Sequence, residues 1–435
     1  MTFLYKNNRR PTNTTKTLYN AVVIGLGGVG SFALKALASS MKQRNQHHPD
    51  SSNNHHSKLL LGIEQFTRGH SFGSSHGESR IYRHAYFEHP GYVPLIRYST
   101  SVFQAMQKRA GKEIIRECGT LIMEDGTGYY DNCDASIIRS CLKSAKVYGL
   151  DVELLSNQEL QERFPQFSFC GKNDDIMGLL EHEGGFIRPE VAIECALAEA
   201  EEDGSQIWEE SVVECIEEEE DRDRVKIILR NRPGDSGDSK VIYARNVIVA
   251  AGAWASRLIP QWKHLLRVTR QIQGWVDVSK VPKRSTLYGS ENFATWLLST
   301  SSLRQPFYGI PSTESDCREI KIALHGRDVS VDPNLRNPKV TKEEKEELEC
   351  AFRTYFESTE KLQISRTKSC MYTMTPDEHF LVGKPCGSSR IHAVAGLSGH
   401  GFKMVPALGK IMADSVMGHK FDAYTSDFLN PSRFS

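Results

Sequence analysis

The chain has 435 residues, a length that suggests two or three domains or one large two-part fold. Its 54 lysines and arginines balance 54 aspartates and glutamates, so no net positive field attracts nucleic acid or anionic lipid. Hydrophobic residues make up 39% and charged residues 25%, a balance typical of soluble globular proteins, and no apolar run approaches the roughly 18 residues of a membrane span. We therefore expect no nucleic-acid partner and no membrane association.

The ten cysteines are scattered and form no C-x-x-C pair, so neither a zinc site nor a dithiol redox motif is indicated and no metal is expected. This usage favours a reducing compartment. Residues 1–20 contain four basic residues and no acid, and they lack the apolar segment of a secretory signal. We predict a disordered leader over 1–17 and, because the last three residues are not the peroxisomal tripeptide, a cytoplasmic or organellar location.

The first ordered segment predicts a strand, a tight turn and a helix. Residues 21–24 are apolar and rich in β-branched side chains, and residues 31–40 carry apolar residues at helical spacing. Between them lies a G-x-G-x-x-G motif formed by Gly25, Gly27 and Gly30. In this setting the motif lets the backbone approach a pyrophosphate at the N-terminus of a helix. The sequence therefore predicts a dinucleotide-binding domain that begins near residue 18.

A second strand, 59–63, ends at Glu64, where an acid normally binds a ribose hydroxyl. The spacing from the glycine motif exceeds the usual distance of about 20 residues. Residues 42–58, which are dense in Asn, Ser, Gln and His, account for the difference as a predicted surface insertion. An acid at this position argues against a 2′-phosphate, but it does not choose between NAD and FAD.

The rest of the chain contains both helical and strand patterns. The predicted elements are helices over 102–111, 134–148 and 406–417, a hairpin or exposed edge over 214–224, a turn-rich loop over 231–240, and buried strands over 246–250 and 391–395. Strand–glycine elements thus lie at the beginning, middle and end of the chain. We predict a discontinuous dinucleotide domain with a second domain threaded through it.

Residues 73–86 combine small residues with His76, Arg80 and Arg83, and composition alone favours a polar loop with a surface arginine pair. At this point the chain resembles the monomeric sarcosine oxidase and N-methyltryptophan oxidase family, which are FAD-dependent amine oxidases with the glutathione-reductase-like flavoprotein fold. The resemblance covers nearly the whole chain. It is carried by residues 25–30, 75–86, 184–186, 250–254, 308–311, 320–326, 370–380 and 397–403.

The resemblance implies an α/β fold with an α+β second domain. A discontinuous Rossmann-like FAD-binding domain would span 18–110, 180–262 and 366–430. It would be interleaved with a substrate domain, built on a mixed, largely antiparallel sheet, that spans 111–179 and 263–365.

The same resemblance assigns residues to the cofactor and to the substrate. Cys370, which its own chemistry would class as a buried small hydrophobe, would hold the flavin covalently through a thioether. Arg83 and Lys403 would bind the substrate carboxylate by charge-assisted hydrogen bonds. The positions that would contact the cofactor are Gly25, Gly27, Gly28, Gly30, Glu64, Ser75, His76, Cys370, Gly396, Gly399, Gly401 and Lys403.

Lys321 matches the lysine that activates oxygen in the family. It alternates with Ile320, Ile322 and Leu324, so a strand would place it on the face opposite those apolar residues, and the sequence leaves open whether that face meets solvent or flavin. By resemblance, His76 and Arg80 would lie against the flavin. Tyr308 and His325 would line the pocket near the substrate amine.

The resemblance implies an FAD-dependent oxidase of a small secondary amino acid, such as sarcosine, that produces hydrogen peroxide and acts as a monomer. L-pipecolate, N-methyltryptophan and fructosyl amino acids are alternative substrates, because the pocket walls around 267–295 match less well. A flavin dehydrogenase that passes electrons to a carrier is an alternative of another class, and Lys321 argues for the oxidase. A non-catalytic FAD-binding protein would not require this set of residues.

Overall fold

The computed structural model describes residues 17–47, 59–125, 136–169, 176–230, 240–335, 339–356, 362–419 and 427–434, without the side chains of 45–47, 284 and 285. The predicted leader therefore lies almost wholly outside the described residues, as do positions 48–58 of the predicted insertion and 231–239 of the predicted loop. The chain divides into two compact units. Unit 1 comprises Met1–Ser75, Ala192–Arg267 and Thr373–Ser435, and unit 2 comprises His76–Val191 and Val268–Tyr372.

The strands follow one another in chain order. They are β1 Leu18–Ile24, β2 Leu60–Ile63, β3 Arg80–Tyr82, β4 Ile115–Glu117, β5 Thr120–Asp125, β6 Val152–Leu155, β7 Ile176–Glu181, β8 Gly185–Ile187, β9 Gln206–Trp208, β10 Val213–Glu219, β11 Arg224–Leu229, β12 Lys240–Val249, β13 Arg267–Asp277, β14 Thr295–Ser299, β15 Phe307–Ile310, β16 Glu319–Leu324, β17 Ile364–Met374, β18 Leu381–Gly383 and β19 Ile391–Ala395.

The α-helices are α1 Gly28–His47, α2 Val93–Ala110, α3 Ile137–Tyr148, α4 Asn157–Arg163, α5 Pro189–Glu202, α6 Ala255–Leu258, α7 Arg284–Tyr288, α8 Lys342–Tyr355 and α9 Val405–Val416. Two helices begin at other residues than apolar spacing predicts. Helix α2 begins at Val93 rather than at 102, with Pro94 in its first turn, and α3 begins at Ile137 rather than at 134, after the side-chain cap of Ser136. Within the described part of the chain, no helix combines the length and apolar character needed to cross a bilayer.

Unit 1 is built on a sheet in the order β10-β11-β12-β1-β2-β9. Strands β1, β2, β9 and the C-terminal half of β12 run parallel, and β19 extends the parallel set beside β12. The charged segment forms the β10–β11 antiparallel hairpin. The predicted strand–turn–helix at the start of the chain and the Rossmann-like fold class are thereby confirmed.

One boundary in unit 1 differs from the prediction. Residues 42–47, assigned to a surface insertion, instead continue α1. Asp203 lies beside the start of this segment, and its carboxylate accepts hydrogen bonds from Ser39 Oγ at 3.1 Å and from Lys42 Nζ at 2.6 Å. This contact joins segments that are far apart in sequence, so local composition did not predict it.

Unit 2 is built on an eight-stranded sheet in the order β17-β13-β16-β15-β14-β5-β7-β6. The pair β14–β5 is parallel, whereas β13–β16, β16–β15, β15–β14, β5–β7 and β7–β6 are antiparallel. A buried aromatic cluster packs on one face of this sheet, and its rings include Phe167, Phe293, Trp296, Phe307 and Phe356. This is the mixed, largely antiparallel sheet that the resemblance implied.

The unit boundaries differ from the predicted domain boundaries in four segments. Residues 76–110, 180–191 and 366–372 fall in unit 2, and 263–267 falls in unit 1. The first three segments belong to unit 2 because β8 pairs with both β3 and β4 and because β17 extends the eight-stranded sheet. Which unit binds the cofactor and which the substrate stays a prediction.

Candidate functional site

The glycine motif in unit 1 forms a turn that only glycine accommodates. Gly25 has a φ of +85°, and a Cβ there would lie 2.6 Å from the carbonyl oxygen of Ala250. A Cβ on Gly30 would collide with the carbonyl oxygen of Gly25. Helix α1 begins at Gly28, so its free amide groups lie at this turn. Among the described residues other than its chain neighbours, Ser75 Oγ at 3.7 Å is the only heavy atom within 4 Å of a Cβ on Gly27, so the backbone at Gly27 has space around it.

Glu64 borders the same turn. It is buried, and its carboxylate accepts hydrogen bonds from the backbone N–H of Leu26 at 2.8 Å and of Phe66 at 3.1 Å. Ser75 Oγ accepts a hydrogen bond from the N–H of Gly28 at 3.2 Å. An open glycine turn, a helix N-terminus and a fixed carboxylate fit a dinucleotide with a pyrophosphate and a free ribose hydroxyl.

The C-terminal part of unit 1 brings a second glycine segment after β19. Gly396, Gly399 and Gly401 precede a short 3-10 turn, Phe402–Met404, that leads into α9. Lys403 in this turn is only 8% exposed, and its Nζ donates a hydrogen bond to the carbonyl oxygen of His400 at 3.2 Å. A buried cation at the start of a helix is electrostatically unfavourable, so this position fits an anionic ligand.

In unit 2, Lys321 lies on the sheet face opposite the aromatic cluster, as the alternation in β16 predicts. Its neighbours Ile320 and Ile322 pack into that cluster. Lys321 is only 3% exposed, so its own face is also covered. Its Nζ donates hydrogen bonds to the carbonyl oxygens of Gly77 at 2.7 Å and Ser79 at 2.8 Å. Burial, and then the positive charge of Arg80, hold the pKa of Lys321 well below its usual range.

Cys370 and Arg80 lie together near Lys321. Cys370 is buried, and Arg80 Nη2 lies 3.8 Å from its Sγ. Arg80 Nη1 donates to the carbonyl oxygen of Ser79 at 2.8 Å, so Arg80 and Lys321 share that oxygen. Cys317, which is closer to Lys321 in sequence, instead belongs to the aromatic cluster. The structure therefore brings Cys370, not Cys317, to the Lys321 region.

Three polar rings complete this region of unit 2. His325 Nδ1 lies 3.2 Å from Tyr372 Oη, and the ring centroids of Tyr308 and His325 are 6.2 Å apart. Burial raises the pKa of the Tyr308 and Tyr372 hydroxyls. The sequence analysis assigned no role to Tyr372. Its place near the other site residues could have been predicted from its position two residues after Cys370 in β17, because alternate strand residues share a face.

Arg83 lies in a separate environment of unit 2. It is 4% exposed, and its Nη2 lies 2.9 and 3.1 Å from the two carboxylate oxygens of Glu88. Its guanidinium stacks against the rings of Tyr86 and Phe87 at 4.3 and 4.1 Å. Burial by itself would lower the pKa of Arg83, but the Glu88 carboxylate together with Tyr86 and Cys141 outweighs burial, and the pKa of Arg83 is raised. The sequence assignments missed Glu88.

His76, the remaining assigned residue of this segment, is buried directly before Gly77. The predicted residues thus divide between the units. Arg80, Tyr308, Lys321, His325 and Cys370 assemble in unit 2, where Arg83 is paired with Glu88. The glycines, Glu64, Ser75 and Lys403 lie in unit 1.

Comparison with protein families agrees with this arrangement. A model described as "FAD dependent oxidoreductase" matches residues 20–415, which is most of the chain. The protein belongs to this family of flavoproteins. Its cofactor is therefore FAD, and the glycine turn, helix N-terminus and Glu64 carboxylate of unit 1 are suited to the dinucleotide part of that cofactor.

Known amine oxidases are similar to the chain over most of its length. The chain is 28% identical over 399 residues to the monomeric sarcosine oxidase of Streptomyces avermitilis, covering 91% of this chain and 93% of that one. It is 27% identical over 397 residues to the N-methyl-L-tryptophan oxidase of Yersinia pestis, covering 91% and 94%. These matches confirm the resemblance found in the sequence.

Solved structures agree on the fold. NikD, described as an unusual amino acid oxidase essential for nikkomycin biosynthesis, superposes in an open mutant form with a TM-score of 0.74 at 18% identity, covering 96% of this chain and 98% of that one. The L-proline dehydrogenase of P. horikoshii superposes with a TM-score of 0.72 at 19% identity, with the same coverage. Because an oxidase and a dehydrogenase share the fold, the fold does not distinguish the two reactions.

Proposed function

We propose that the protein is an oxidase of a small secondary amino acid, sarcosine or another N-methyl amino acid. For sarcosine, substrate, dioxygen and water would yield glycine, formaldehyde and hydrogen peroxide. The observation that carries the proposal is the buried ammonium of Lys321 among Arg80, Cys370 and the Tyr308–His325–Tyr372 group, in a chain of this flavoprotein family.

FAD supplies the redox chemistry, because it accepts two electrons from an amine and passes them to an acceptor. In unit 1 the turn from Gly25 to Gly30, together with Glu64 and Ser75, would hold its dinucleotide part. The glycine segment Gly396, Gly399 and Gly401 and the Lys403 side chain would contact it as well, and His76 and Arg80 in unit 2 would lie against its ring. Cys370 would carry the covalent thioether link.

Arg83 and Lys403 would bind the substrate carboxylate. Both cations are buried, so a carboxylate bound to them would lose little energy to competing water. In the structure Glu88 already contacts Arg83 Nη2 with both of its oxygens. A substrate carboxylate at Arg83 would therefore have to replace Glu88 or share the guanidinium with it, which makes Glu88 a competitor built into the site.

The three polar rings would orient the substrate amine. Burial keeps the hydroxyls of Tyr308 and Tyr372 protonated, so they act as neutral donors and acceptors at neutral pH. Neutral hydroxyls beside the positive charge of Arg80 favour an uncharged amine over an ammonium, and the uncharged amine is the form that donates electrons.

Lys321 would serve the reaction with oxygen. One-electron reduction of dioxygen forms an anion, and a fixed positive charge stabilises that anion as it forms. The two carbonyl oxygens of Gly77 and Ser79 hold the ammonium in one place and favour its protonated form. This role supports an oxidase over a dehydrogenase, which would gain nothing from a cation dedicated to superoxide.

A peroxide assay with sarcosine, N-methyl-L-tryptophan, L-pipecolate and fructosyl-glycine tests the proposal. We expect one peroxide per substrate consumed and the highest kcat/KM with sarcosine or another small N-methyl amino acid. Flavin bleaching by substrate without peroxide, but with reduction of a dye, would identify a dehydrogenase. Absence of bleaching by all four substrates would overturn the proposed substrate class. Light scattering of the active protein tests the proposed monomer.

A further inference from the structure

The ammonium of Lys321 is held by a turn with unusual backbone geometry. Residues 77–79, which we call the lysine-binding turn, present the carbonyl oxygens of Gly77 and Ser79 to Lys321 Nζ. Gly77 has a φ of +97° and Glu78 a φ of +70°. A left-handed conformation at a glutamate costs about 1 kcal/mol or more, so this turn needs interactions that hold it.

Glu190 supplies such interactions. Its Oε1 accepts hydrogen bonds from the backbone N–H of Gly77 at 2.7 Å and of Glu78 at 3.1 Å. Glu190 lies in the first turn of α5, where the helix dipole stabilises a carboxylate. The carboxylate is therefore placed by a helix of 14 residues rather than by a mobile loop.

The bonds to Glu190 and to Lys321 meet in a single peptide group. The N–H of Glu78 and the carbonyl of Gly77 belong to the same planar amide. The Glu190 carboxylate accepts a hydrogen bond from the N–H of this amide, and Lys321 Nζ donates a hydrogen bond to the oxygen of the same amide. Hydrogen bonds in such a chain polarise one another, so the carboxylate makes the Gly77 oxygen a better acceptor for the ammonium.

The side chain of Glu78 is held separately. Its two carboxylate oxygens lie 2.6 and 2.8 Å from Arg366 Nη1 and Nη2, and Arg366 stacks over the ring of Trp275 at 4.1 Å. This pair lines a cleft of about 720 Å³ that also reaches Lys321. Because Arg366 is exposed, the pair contributes little free energy and is a weaker support than Glu190.

We propose that Glu190 is a positioning residue for oxygen reduction: it fixes the lysine-binding turn and, through the amide between Gly77 and Glu78, the ammonium of Lys321. The inference rests on the proposed function, because it assigns Glu190 to the oxygen step. Glu190 acts through the backbone and need not contact substrate or oxygen.

The charges around Lys321 give the proposal a pH signature. Arg80 lowers the pKa of Lys321, whereas Cys370, Glu190 and Glu78 raise it. Removing the carboxylate of Glu190 will lower this pKa further, so the ammonium will be lost at a lower pH. A residue that only stabilised the fold would not shift this ionisation.

The test compares Glu190→Gln with wild type in rapid-mixing experiments that separate flavin reduction by substrate from reoxidation by oxygen. We expect the pH profile of reoxidation in Glu190→Gln to move down by about one unit, which is about a tenfold slower rate above the pKa. Flavin reduction should change less than about twofold, because the turn contacts Lys321 and not the amine-binding rings. Glu190→Asp keeps the charge and should restore the pH profile. Glu202→Gln, in the last turn of α5, is the matched control and should behave as wild type.

Hydrogen exchange of the purified protein provides a readout independent of turnover. The amides of Gly77 and Glu78 should exchange at least severalfold faster in Glu190→Ala, which has no side-chain acceptor, than in wild type, with no change in Glu202→Ala. An unchanged reoxidation profile in an active Glu190→Gln enzyme, or unchanged exchange at both amides, would overturn the inference. If the wild type does not react with oxygen, the proposed function fails, and the exchange data still decide whether Glu190 holds the turn.

Discussion

Lys321 is subject to opposing influences on its proton. Burial and Arg80 disfavour the ammonium, whereas two backbone carbonyls and the carboxylates of Glu78 and Glu190 favour it. A lysine with a lowered pKa in a covered site is typical of a functional position. The same balance means that small changes in pH or charge will alter how much of the residue is cationic.

Lys321→Met tests the role of this charge while keeping an unbranched side chain. We expect reoxidation by oxygen to fall by at least about a hundredfold, since removing one group that stabilises developing charge costs roughly 10²–10³ in rate. Anaerobic flavin reduction should fall far less. In wild type, reoxidation should be fastest below the lowered pKa of Lys321 and should slow as pH rises through it, since the ammonium is then lost. Equal losses in both half-reactions of Lys321→Met would contradict an oxygen-specific role.

Cys370 gives a direct prediction about cofactor attachment. Its sulfur is buried next to the guanidinium of Arg80, which provides a positive charge beside the reacting atom. Acid-precipitated wild type should remain yellow, whereas Cys370→Ser should release its flavin to the supernatant. Cys317→Ser, which changes another buried cysteine of unit 2, should keep a yellow pellet. A colourless wild-type pellet would rule out the covalent link.

Glu88 gives a prediction about affinity. Glu88→Gln removes the charge that competes with a bound carboxylate for Arg83. We expect a simple carboxylate such as propionate to bind about fivefold more tightly, which corresponds to about 1 kcal/mol, as measured by its perturbation of the flavin spectrum. Glu153→Gln, an exposed acid of unit 2, serves as the control. Weaker binding in Glu88→Gln would instead show that Glu88 orients Arg83 for its ligand.

At the scale of the elements, the sequence predicted best where the signal is local. The turn at Gly25, the strand before it and the helix after it follow from short-range pattern, and alternation in β16 correctly separated Lys321 from the aromatic cluster. Contacts between distant segments were not predictable in this way. Asp203 accepts a hydrogen bond from Lys42 of α1, and Glu190 accepts one from Glu78, which lies 112 residues before it; no local pattern marks either acid.

Two glycines of the G-x-G-x-x-G motif, Gly27 before α1 and Gly30 in its first turn, should respond differently to alanine. In Gly30→Ala the new Cβ would collide with the backbone of Gly25, which cannot move away as a flexible side chain would. Overpacking of this kind costs about 1–3 kcal/mol, so we expect a lower Tm together with flavin loss. In Gly27→Ala the Cβ meets only Ser75 Oγ at 3.7 Å, so the flavin-free fold should keep its Tm while flavin content falls. Normal flavin content in Gly27→Ala would contradict the assignment of this turn to the cofactor.

At the scale of the whole molecule, zero net charge coexists with three buried cations to which we assign small anions as ligands. Lys321, Arg83 and Lys403 are 3%, 4% and 8% exposed, so their charges are largely withdrawn from the bulk solvent. The balanced surface offers no long-range field to draw an anionic ligand toward them. Capture of substrate should therefore depend on contacts made inside the site rather than on electrostatic steering.

This arrangement predicts a weak dependence on salt. Raising the ionic strength from about 0.05 to 0.5 M shortens the screening length severalfold, which slows steered association but leaves buried pairs almost unchanged. We expect kcat/KM for an N-methyl amino acid to change less than about twofold over this range. Sodium chloride and sodium acetate should be compared, because acetate is itself a carboxylate and should compete through Arg83 and Lys403 where chloride has less effect. A steep fall in kcat/KM with sodium chloride would show that exposed charges guide the substrate, and the buried cations would then not be sufficient to explain its capture.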